Sequence, residues 1–190
     1  RLVDRPLYAT DETPADDPIA LPYHLSSHML LWRALRLLDA LGVDGGPDAP
    51  TAQTVREAVL RDFVVSHEGA RLFAYAIDET GRYHLYHDAN DIPLALAPAW
   101  GFCDADDPVW QATVDFAFSA ANAGGFYAGR LGSVHTMAPW PLGDVQDLII
   151  ARALGDASRA ERARAQLCRG AGPGGALPEA YDVDSGTVVS

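Results

Sequence analysis

The segment 25–41 constrains the fold most, because its apolar residues cover more than half of the surface of a helix. Ser26 or Ser27 stands near its start and Gly42 at its end, as expected at helix boundaries. The apolar residues are Met29, Leu30, Trp32, Leu35, Leu37, Leu38 and Leu41. A helix with so broad an apolar face packs against neighbours on two sides, which indicates a bundle or a ring of helices.

Helical periodicity recurs along the rest of the chain. Further helices are predicted over 51–67, 94–100, 108–121, 144–154 and 159–168. Asp107 and Pro108 suit the N-cap and the first position of one helix, and Gly101 suits the end of another. One hairpin is predicted between the helices, with 72–77 extended and a turn at 78–81. Helix following helix describes an all-α ring better than any βαβ fold.

A polar stretch at residues 83–93 concentrates side chains that form hydrogen bonds or transfer protons. The predicted hairpin delivers His87, Asp88 and Asn90 to the beginning of the helix that follows. A simpler interpretation is that Asp91 or Asn90 only caps that helix. One cap needs only one such side chain, so Asp88 and Asn90 together favour a binding role.

Carboxylates cluster in the proline-rich segment 1–22, where Asp16 and Asp17 are adjacent. Adjacent carboxylates repel each other, and burial of such a pair raises one pKa, which is how a general acid is made. Pro18 keeps Asp17 out of the α region, so the pair is expected on a defined turn. The alternative interpretation is a solvated acidic loop.

The segment 122–143 mixes glycines, which let a backbone approach a ligand, with polar and aromatic residues. These residues are Tyr127, Arg130, Ser133, His135, Thr136 and Trp140. Aromatic faces stack on pyranose rings and polar groups at their edges select hydroxyls, so a long irregular binding loop is predicted. Further along the chain, Glu179 follows Pro178 beside Tyr181 and is a candidate general base.

The net charge of −12, with arginine rather than lysine as the basic residue, limits the partners. An acidic surface repels a nucleic-acid backbone or an anionic membrane, whereas it is compatible with a neutral ligand such as a sugar. The longest apolar run, near Leu30, is interrupted by Arg33 and Arg36, so a membrane span is not expected.

Four separated segments together resemble glycoside hydrolase family 125, the metal-independent exo-α-1,6-mannosidases. In order they are Pro14-Ala15-Asp16-Asp17 with Tyr23 and Ser27-His28-Met29, then Ala74-Tyr75 with Asp78, Gly81 and Asp88-Ala89-Asn90, then Gly132-Ser133-Val134-His135-Thr136 with Trp140-Pro141, and finally Glu179-Ala180-Tyr181. Each motif alone is unspecific. Four motifs in the family's order and at near-constant separation are specific, and they span almost the whole chain.

The resemblance implies an (α/α)6 toroid and an inverting glycosidase, most closely an exo-α-mannosidase that needs no metal or other cofactor. It places the general acid at Asp16 or Asp17, with a slight preference for Asp16, and makes Glu179 the general base. The substrate would be an oligosaccharide or glycoside, bound by Tyr75, Asp88, Asn90, Ser133, His135, Thr136 and Trp140. Inversion requires the two carboxyl groups to lie about 6.5–9.5 Å apart, so that a water molecule fits between them and the sugar.

The chain departs from the family's motifs at positions that concern the walls of the pocket. Thr13, His28, Val134 and Pro178 stand where the family has Arg, Asn, Pro and His. Because the catalytic carboxylates are unaffected, a glycosidase with a different sugar specificity is the nearest alternative.

Residues 1–190 are expected to form a single toroid domain that is a fragment of a longer polypeptide. The chain begins at Arg1 and stops in what resembles a strand without a partner, and the family's amino-terminal portion is missing. The ring is therefore expected to be incomplete. A signal peptide is not recognisable, but a chain that begins at Arg1 does not show whether one precedes it. The compartment is therefore left open, with the cytoplasm slightly favoured, and so is the oligomeric state.

Two further alternatives belong to other functional classes. A metalloprotein would use His84, His87, Asp88 and His135, but His84 and His87 would point to opposite faces of a strand. A non-catalytic carbohydrate-binding toroid would keep the pocket and lack the chemistry, yet binding alone does not need two opposed carboxylates. Activity in the presence of a chelator tests the first alternative, and turnover by the full-length protein tests the second.

Overall fold

The computed structural model of the protein describes residues 5–13, 17–43, 45–172 and 174–189. Its contacts divide the chain into two compact units, residues 1–85 and residues 86–190. Each unit is described by itself. Within the described residues, helices and short strands alternate along the chain, and the strands form three small sheets.

Two helices form the centre of the first unit. Strand β1 (Tyr23–His24) leads directly into α1 (Leu25–Ala40), and a loop connects α1 to α2 (Ala52–Asp62). The side chains of Thr51 and Thr54 form a capping box that begins α2. The helices pack against each other, and their buried residues include Met29, Trp32, Val55, Ala58 and Val59. The predicted bounds of the first helix are confirmed to within one residue. The expectation that it packs on two sides is wrong for the described residues, because Leu30, Leu37, Leu38 and Leu41 of its apolar face are exposed.

Two antiparallel sheets follow these helices in the first unit. Strand β2 (Val64–His67) pairs with β3 (Ala70–Phe73). Strand β4 (Ala76–Ile77) pairs on one side with β1 and on the other with β5 (Tyr83–His84), which is the predicted hairpin. The antiparallel register with β1 places Tyr75 beside the beginning of α1, where its carbonyl accepts the Leu25 N–H at 2.9 Å.

The prediction of one helix over residues 51–67 is wrong in its last turn, because α2 ends at Asp62 and the chain continues as β2. Glu68 and Gly69 have φ angles of 49° and 84°, and they form the two-residue turn between β2 and β3. Two consecutive positive φ angles match the twist of a hairpin. The β-branched residues Val64 and Val65 suit the strand better than a helix end.

Four helices and one sheet make up the described part of the second unit. They are α3 (Ile92–Trp100), α4 (Pro108–Ala117), β6 (Phe126–Tyr127), β7 (Arg130–Ser133), β8 (Ala138–Pro139), α5 (Pro141–Ala153) and α6 (Ala157–Gly170). Helix α5 is central, because it packs against α6, α3 and β7. The indole Nε1 of Trp110 donates to the Leu94 carbonyl at 2.8 Å and thereby connects the buried faces of α4 and α3.

The segment 122–143 is not the irregular loop that the sequence predicts, because its central part, residues 126–139, folds as the antiparallel sheet β6–β7–β8 with its connecting turns. Ala128 and Gly129, with φ angles of 48° and 80°, form the turn between β6 and β7. Helix α4 also ends four residues earlier than predicted. There the side-chain amide of Asn122 donates to the Ala117 carbonyl at 2.9 Å. This carbonyl at the end of the helix thereby gains a hydrogen-bond partner that the helix itself does not supply.

The fold class is predominantly helical, as predicted, but the described chain holds more strand than the single hairpin expected for an all-α protein. Both additional sheets depend on two-residue turns that lack the usual Asn-Gly signal. Among the residues that the structure describes, none of the helices is long and apolar enough to cross a bilayer.

Candidate functional site

The carboxylate of Asp88 is the centre of a buried polar cluster in the second unit. Its Oδ2 accepts the Tyr86 hydroxyl at 2.5 Å, and its Oδ1 accepts the Asn90 N–H at 2.8 Å. The Ser133 side chain donates a further hydrogen bond to it. Asp88 is only 4% exposed, so these neutral donors replace the water that would otherwise solvate the carboxylate.

Burial raises the pKa of Asp88 above its ordinary value, and the neighbouring Asp91 carboxylate adds to this rise. The hydrogen bonds from Tyr86, Asn90 and Ser133 act in the opposite direction, because they stabilise the charged form. Burial, followed by the charge of Asp88, also raises the pKa of Tyr86, so this phenol remains a neutral donor. The result is a strong acceptor with a perturbed pKa, as is typical of functional sites.

Buried amide side chains hold the backbone on either side of Asp88. The Asn122 amide exchanges two hydrogen bonds with the backbone of His87, at 3.0 and 2.9 Å. Gln146 on α5 donates to the carbonyls of Asp88 and Ala89 at 3.1 and 2.6 Å, and its Oε1 lies 3.0 Å from His87 Nε2. His87 is therefore a buried structural residue that orients the segment. Asn122 and Gln146 carry no local signal of this role, because they lie 35 and 59 residues away from His87 in the sequence.

The segment between β7 and α5 lies against the same cluster. The Val134 N–H donates to the Tyr86 hydroxyl at 3.4 Å, and the His135 N–H donates to Ser133 Oγ at 3.1 Å. The structure therefore connects the predicted binding residues Asp88, Asn90 and Ser133 directly. The Ala89 N–H also donates to the Gly132 carbonyl at 2.9 Å, so the backbone beside Asp88 is bonded directly to β7.

Trp140, Thr136 and His135 form the second part of the predicted sugar-binding set. The Trp140 indole donates to Thr136 Oγ1 at 2.6 Å, and its ring lies edge-on to the His135 imidazole with the centroids 6.4 Å apart. The His135 side chain is exposed, whereas Trp140 is mostly buried. An aromatic wall with a polar edge of this kind suits a pyranose ring.

The Asp91 side chain does not cap α3, as the simpler interpretation of the sequence would have it. It stands at the N-cap position of α3, but its Oδ2 accepts the Asp88 N–H at 3.2 Å rather than an N–H of the helix. The carboxylate therefore belongs to the Asp88 cluster. Pro93, in the first turn of α3, has no N–H and so needs no acceptor there, which is consistent with a helix start that lacks a side-chain cap.

Glu179, the candidate general base, is exposed and directly precedes two anchored residues. Ala180 and Tyr181 are buried, and the Tyr181 N–H donates to the Pro139 carbonyl at 3.0 Å. The Tyr181 hydroxyl donates to Asp144 on α5 at 2.5 Å, and the same carboxylate is paired with Arg130 at 2.7 Å. These bonds hold the backbone at Glu179 in a defined place in the second unit.

The remaining predicted residues lie in the first unit or outside the described chain. The ring of Tyr75 lies edge-on to His24 and to His84, with centroid distances of 4.7 and 5.8 Å. Asp17 is half-buried, and its carbonyl accepts the Thr13 N–H at 2.8 Å in a tight loop. Asp16 lies outside the described residues. The proposed opposition of Asp16 or Asp17 to Glu179 therefore stays a prediction.

The metal alternative has no obvious ligand set in the part of the chain that the structure describes. Within it, no three His, Cys, Asp or Glu side chains converge in a manner that could hold a metal ion. His87, one of the proposed ligands, directs its Nε2 to Gln146 instead.

Comparison with known proteins adds two findings. The model of a family described as metal-independent α-mannosidase, glycoside hydrolase family 125, matches residues 6–184. A Streptococcus pneumoniae structure, reported with a new family of metal-independent α-mannosidases that process N-linked glycans, superimposes with a TM-score of 0.78 at 24% identity. That structure is a non-productive substrate complex with α-1,6-mannobiose. The comparison with curated proteins gives no significant match.

The superposition shows that the chain shares the fold of part of the streptococcal protein. It covers 95% of this chain and 45% of the streptococcal one. The chain thus spans less than half of the length of the structure that it matches.

Proposed function

The chain belongs to glycoside hydrolase family 125, the metal-independent α-mannosidases, and from this membership we propose that the protein hydrolyses terminal α-mannosides. The observation that carries the proposal is the family match over residues 6–184, which is almost the whole chain. The resemblance recognised from the four sequence motifs is confirmed by this match.

The proposed reaction is an inverting hydrolysis with two carboxyl groups. Asp16 or Asp17 protonates the glycosidic oxygen as the leaving group departs, and Glu179 removes a proton from the water that attacks the opposite face of the sugar. Inversion follows from a single displacement, because the water enters opposite to the leaving group. This arrangement requires a separation of about 6.5–9.5 Å between acid and base.

The Asp88 cluster is the proposed recognition site for the sugar hydroxyls. A carboxylate held by Tyr86, Asn90 and Ser133 can accept from a hydroxyl with little reorganisation, because its orientation is already determined. Trp140 and Tyr75 are the proposed aromatic contacts, with His135 and Thr136 at the edge of the ring. The imidazole of His135 is exposed beside the Trp140 ring.

The proposal extends to the substrate and to the whole protein. The streptococcal structure contains α-1,6-mannobiose, so an exo-acting enzyme on α-1,6-linked mannose is the most specific form of the proposal. The complete architecture is proposed to be an (α/α)6 toroid. This chain would contribute less than half of it, since it covers 45% of the streptococcal protein.

A panel of aryl α- and β-glycosides tests the function directly. We expect the intact protein to release the aglycone from the α-mannoside only, and NMR spectra taken early in the reaction to show β-mannose first. Activity should be unchanged in EDTA. Initial release of α-mannose would contradict inversion, and loss of activity in EDTA would support the metal alternative instead.

Substitution of the carboxylates tests the catalytic roles. We expect Glu179→Gln, and one of Asp16→Asn and Asp17→Asn, to lower kcat at least about 100-fold with a modest change in KM. Glu57→Gln is the matched control, because Glu57 is an exposed carboxylate on α2. Sugar binding without turnover by the unsubstituted protein would identify a non-catalytic carbohydrate-binding toroid.

A further inference from the structure

The hairpin β4–β5 of the first unit borders a cavity of about 330 Å³ that the proposed reaction does not use. Residues from three separate parts of the unit line it: Arg5, then Asp62 with Val65, and the hairpin residues Ile77, Asp78, Glu79, Gly81, Arg82 and Tyr83. We call this space the hairpin cavity. Its volume lies at the lower end of the range for small-ligand sites, which begins at about 300 Å³.

Two arginines in the wall of the hairpin cavity are each anchored by a carboxylate. Arg82 Nε lies 2.5 Å from Asp78 Oδ2, and Arg5 Nη1 lies 2.5 Å from Asp62 Oδ1. The carboxylate side chains are only 3% and 10% exposed, whereas those of Arg82 and Arg5 are 74% and 43% exposed. Each guanidinium carries five N–H groups in a rigid plane, so one anchored edge leaves the other edge directed outward.

The turn that carries Arg82 is rigid before any ligand arrives. Asp78 Oδ1 accepts the Thr80 N–H, the Thr80 hydroxyl and the Arg82 N–H at 2.9, 2.8 and 3.0 Å. Burial alone would raise the pKa of Asp78, but these bonds and the Arg82 side chain lower it to about 2. Pre-organised donors bind a ligand at a lower entropic cost than mobile ones.

The chemistry of the wall indicates what the hairpin cavity binds. Asp62, Asp78 and Glu79 balance Arg5, Arg82 and Arg61, which also pairs with Asp62, so the wall does not concentrate the positive charge that an anion needs. Asp62 and Asp78 are nearly buried and already accept hydrogen bonds, so the acceptor left for a ligand is the exposed carboxylate of Glu79. This carboxylate and the exposed guanidinium groups together match neighbouring hydroxyl groups, which both donate and accept.

An exposed aromatic ring completes the site. Tyr83 is 43% exposed and lines the same cavity, so its face is available to the apolar side of a pyranose. We propose that the hairpin cavity is a carbohydrate-binding site for a neutral sugar, separate in its residues from the Asp88 cluster. This proposal rests on the proposed function only for the choice of mannose as the sugar to be tested.

Protein NMR tests this proposal on the intact ¹⁵N-labelled protein titrated with D-mannose and with α-1,6-mannobiose. We expect the backbone amides of Gly81, Arg82 and Tyr83 to shift in a saturable manner. Arg82→Gln and Tyr83→Ala should each weaken the affinity derived from these shifts about tenfold. Arg71→Gln, at an exposed arginine on β3 that does not line the cavity, should leave it unchanged.

The same spectra distinguish this proposal from the proposed function. Shifts of the Asn90 and His135 amides report sugar binding at the Asp88 cluster, whereas shifts of the turn amides report sugar binding at the hairpin cavity. The proposal is overturned if the turn amides do not respond to either sugar, or if both variants bind as well as the unsubstituted protein. A response of the turn to inorganic sulfate but not to sugar would also overturn it.

Discussion

At the scale of single residues, two buried carboxylate–phenol pairs in the second unit have different roles. Both pairs are 2.5 Å long, and burial raises the pKa of both carboxyl groups. Asp144 is also paired with Arg130, so its charge is balanced inside the protein. Asp88 is held by the neutral donors Tyr86, Asn90 and Ser133. Asp88 therefore carries a charge that neutral donors stabilise, which is consistent with its proposed recognition of sugar hydroxyls, whereas Asp144 anchors the chain near Glu179.

Tyr86→Phe tests whether the phenol tunes Asp88. The Tyr86 hydrogen bond lowers the pKa of Asp88, so its loss should raise this pKa and move the acidic limb of the kcat/KM profile to higher pH. A hydrogen bond to a charged group contributes about 1.5–3 kcal/mol, and we expect KM to rise at least about tenfold. Both quantities are measured by steady-state kinetics on an α-mannoside.

Tyr127→Phe is the control for this experiment. The Tyr127 hydroxyl donates to the Gly124 carbonyl at 2.8 Å, so the variant removes a hydroxyl nearby without removing the donor to Asp88. Equal effects of the two substitutions on KM and on the pH profile would show that Tyr86 has only a structural role.

His28 shows how burial selects a protonation state in the first unit. Its Nδ1 lies 2.6 Å from the His24 carbonyl, which requires a proton on Nδ1, and its Nε2 accepts the Tyr8 N–H at 2.9 Å. The ring is therefore neutral and connects the segment at Tyr8 to α1. Burial lowers the pKa of His28, in agreement with this arrangement, although the bond to the His24 carbonyl acts in the opposite direction.

This arrangement has a consequence for the pH dependence of stability. The folded state holds the His28 pKa below its unfolded value of about 6.5, so the unfolded state binds more protons as the pH falls through that value. We expect the free energy of unfolding to fall between about pH 7.5 and pH 5.5, by at most about 1.4 kcal/mol per pH unit from this residue. Urea unfolding at several pH values measures this dependence for the protein and for His28→Gln. An identical change of the free energy of unfolding with pH in both would contradict the role given to His28.

At the scale of elements, strand β7 connects the two motifs of the Asp88 cluster. Gly132 accepts from Ala89 N–H at 2.9 Å and donates to the Gly125 carbonyl at 2.8 Å. A Cβ at Gly132 would lie only 2.0 Å from the carbonyl oxygen of Ala138 on β8. Glycine at this position is therefore required by the close approach of two strands.

We expect Gly132→Ala to lower the free energy of unfolding by about 3 kcal/mol or more, because the backbone of β8 has to move. Gly170→Ala is the control, since a Cβ at the end of α6 meets nothing within 4 Å. It should change stability by less than about 0.5 kcal/mol. Urea unfolding followed by circular dichroism measures both. A small effect of Gly132→Ala would show that β7 and β8 separate easily.

At the scale of the whole molecule, the net charge of −12 bears on which sugars are accepted. A neutral mannoside is neither attracted nor repelled by this charge, whereas a cationic amino sugar would be attracted over a distance that salt shortens. We expect kcat/KM for an α-mannoside to change less than about twofold between about 50 mM and about 500 mM salt. A fall of about tenfold would contradict this account, because salt screens interactions between charges and the α-mannoside carries none.

Local signals in the sequence determined the positions of several elements. Leu25–Ala40 follows from its broad apolar face, and the Asp107 carboxylate caps α4 by accepting two backbone N–H groups, as predicted. Gly101, with a φ angle of 76°, ends α3 as expected. These features depend on residues within one or two turns of each other, so they can be recognised without knowledge of the fold. The family motifs are equally short and were recognised for the same reason.

Only the tertiary structure decided how these segments are held. The turns at Glu68–Gly69 and Ala128–Gly129 adopt positive φ angles because the strands on either side of each turn pair with each other. The two dipeptides by themselves do not require positive φ angles. Likewise, Gln146 acquires its role only when α5 is placed against His87 and Asp88. Burial makes an unpaired polar group costly, and which distant amide satisfies it depends on packing across the whole unit.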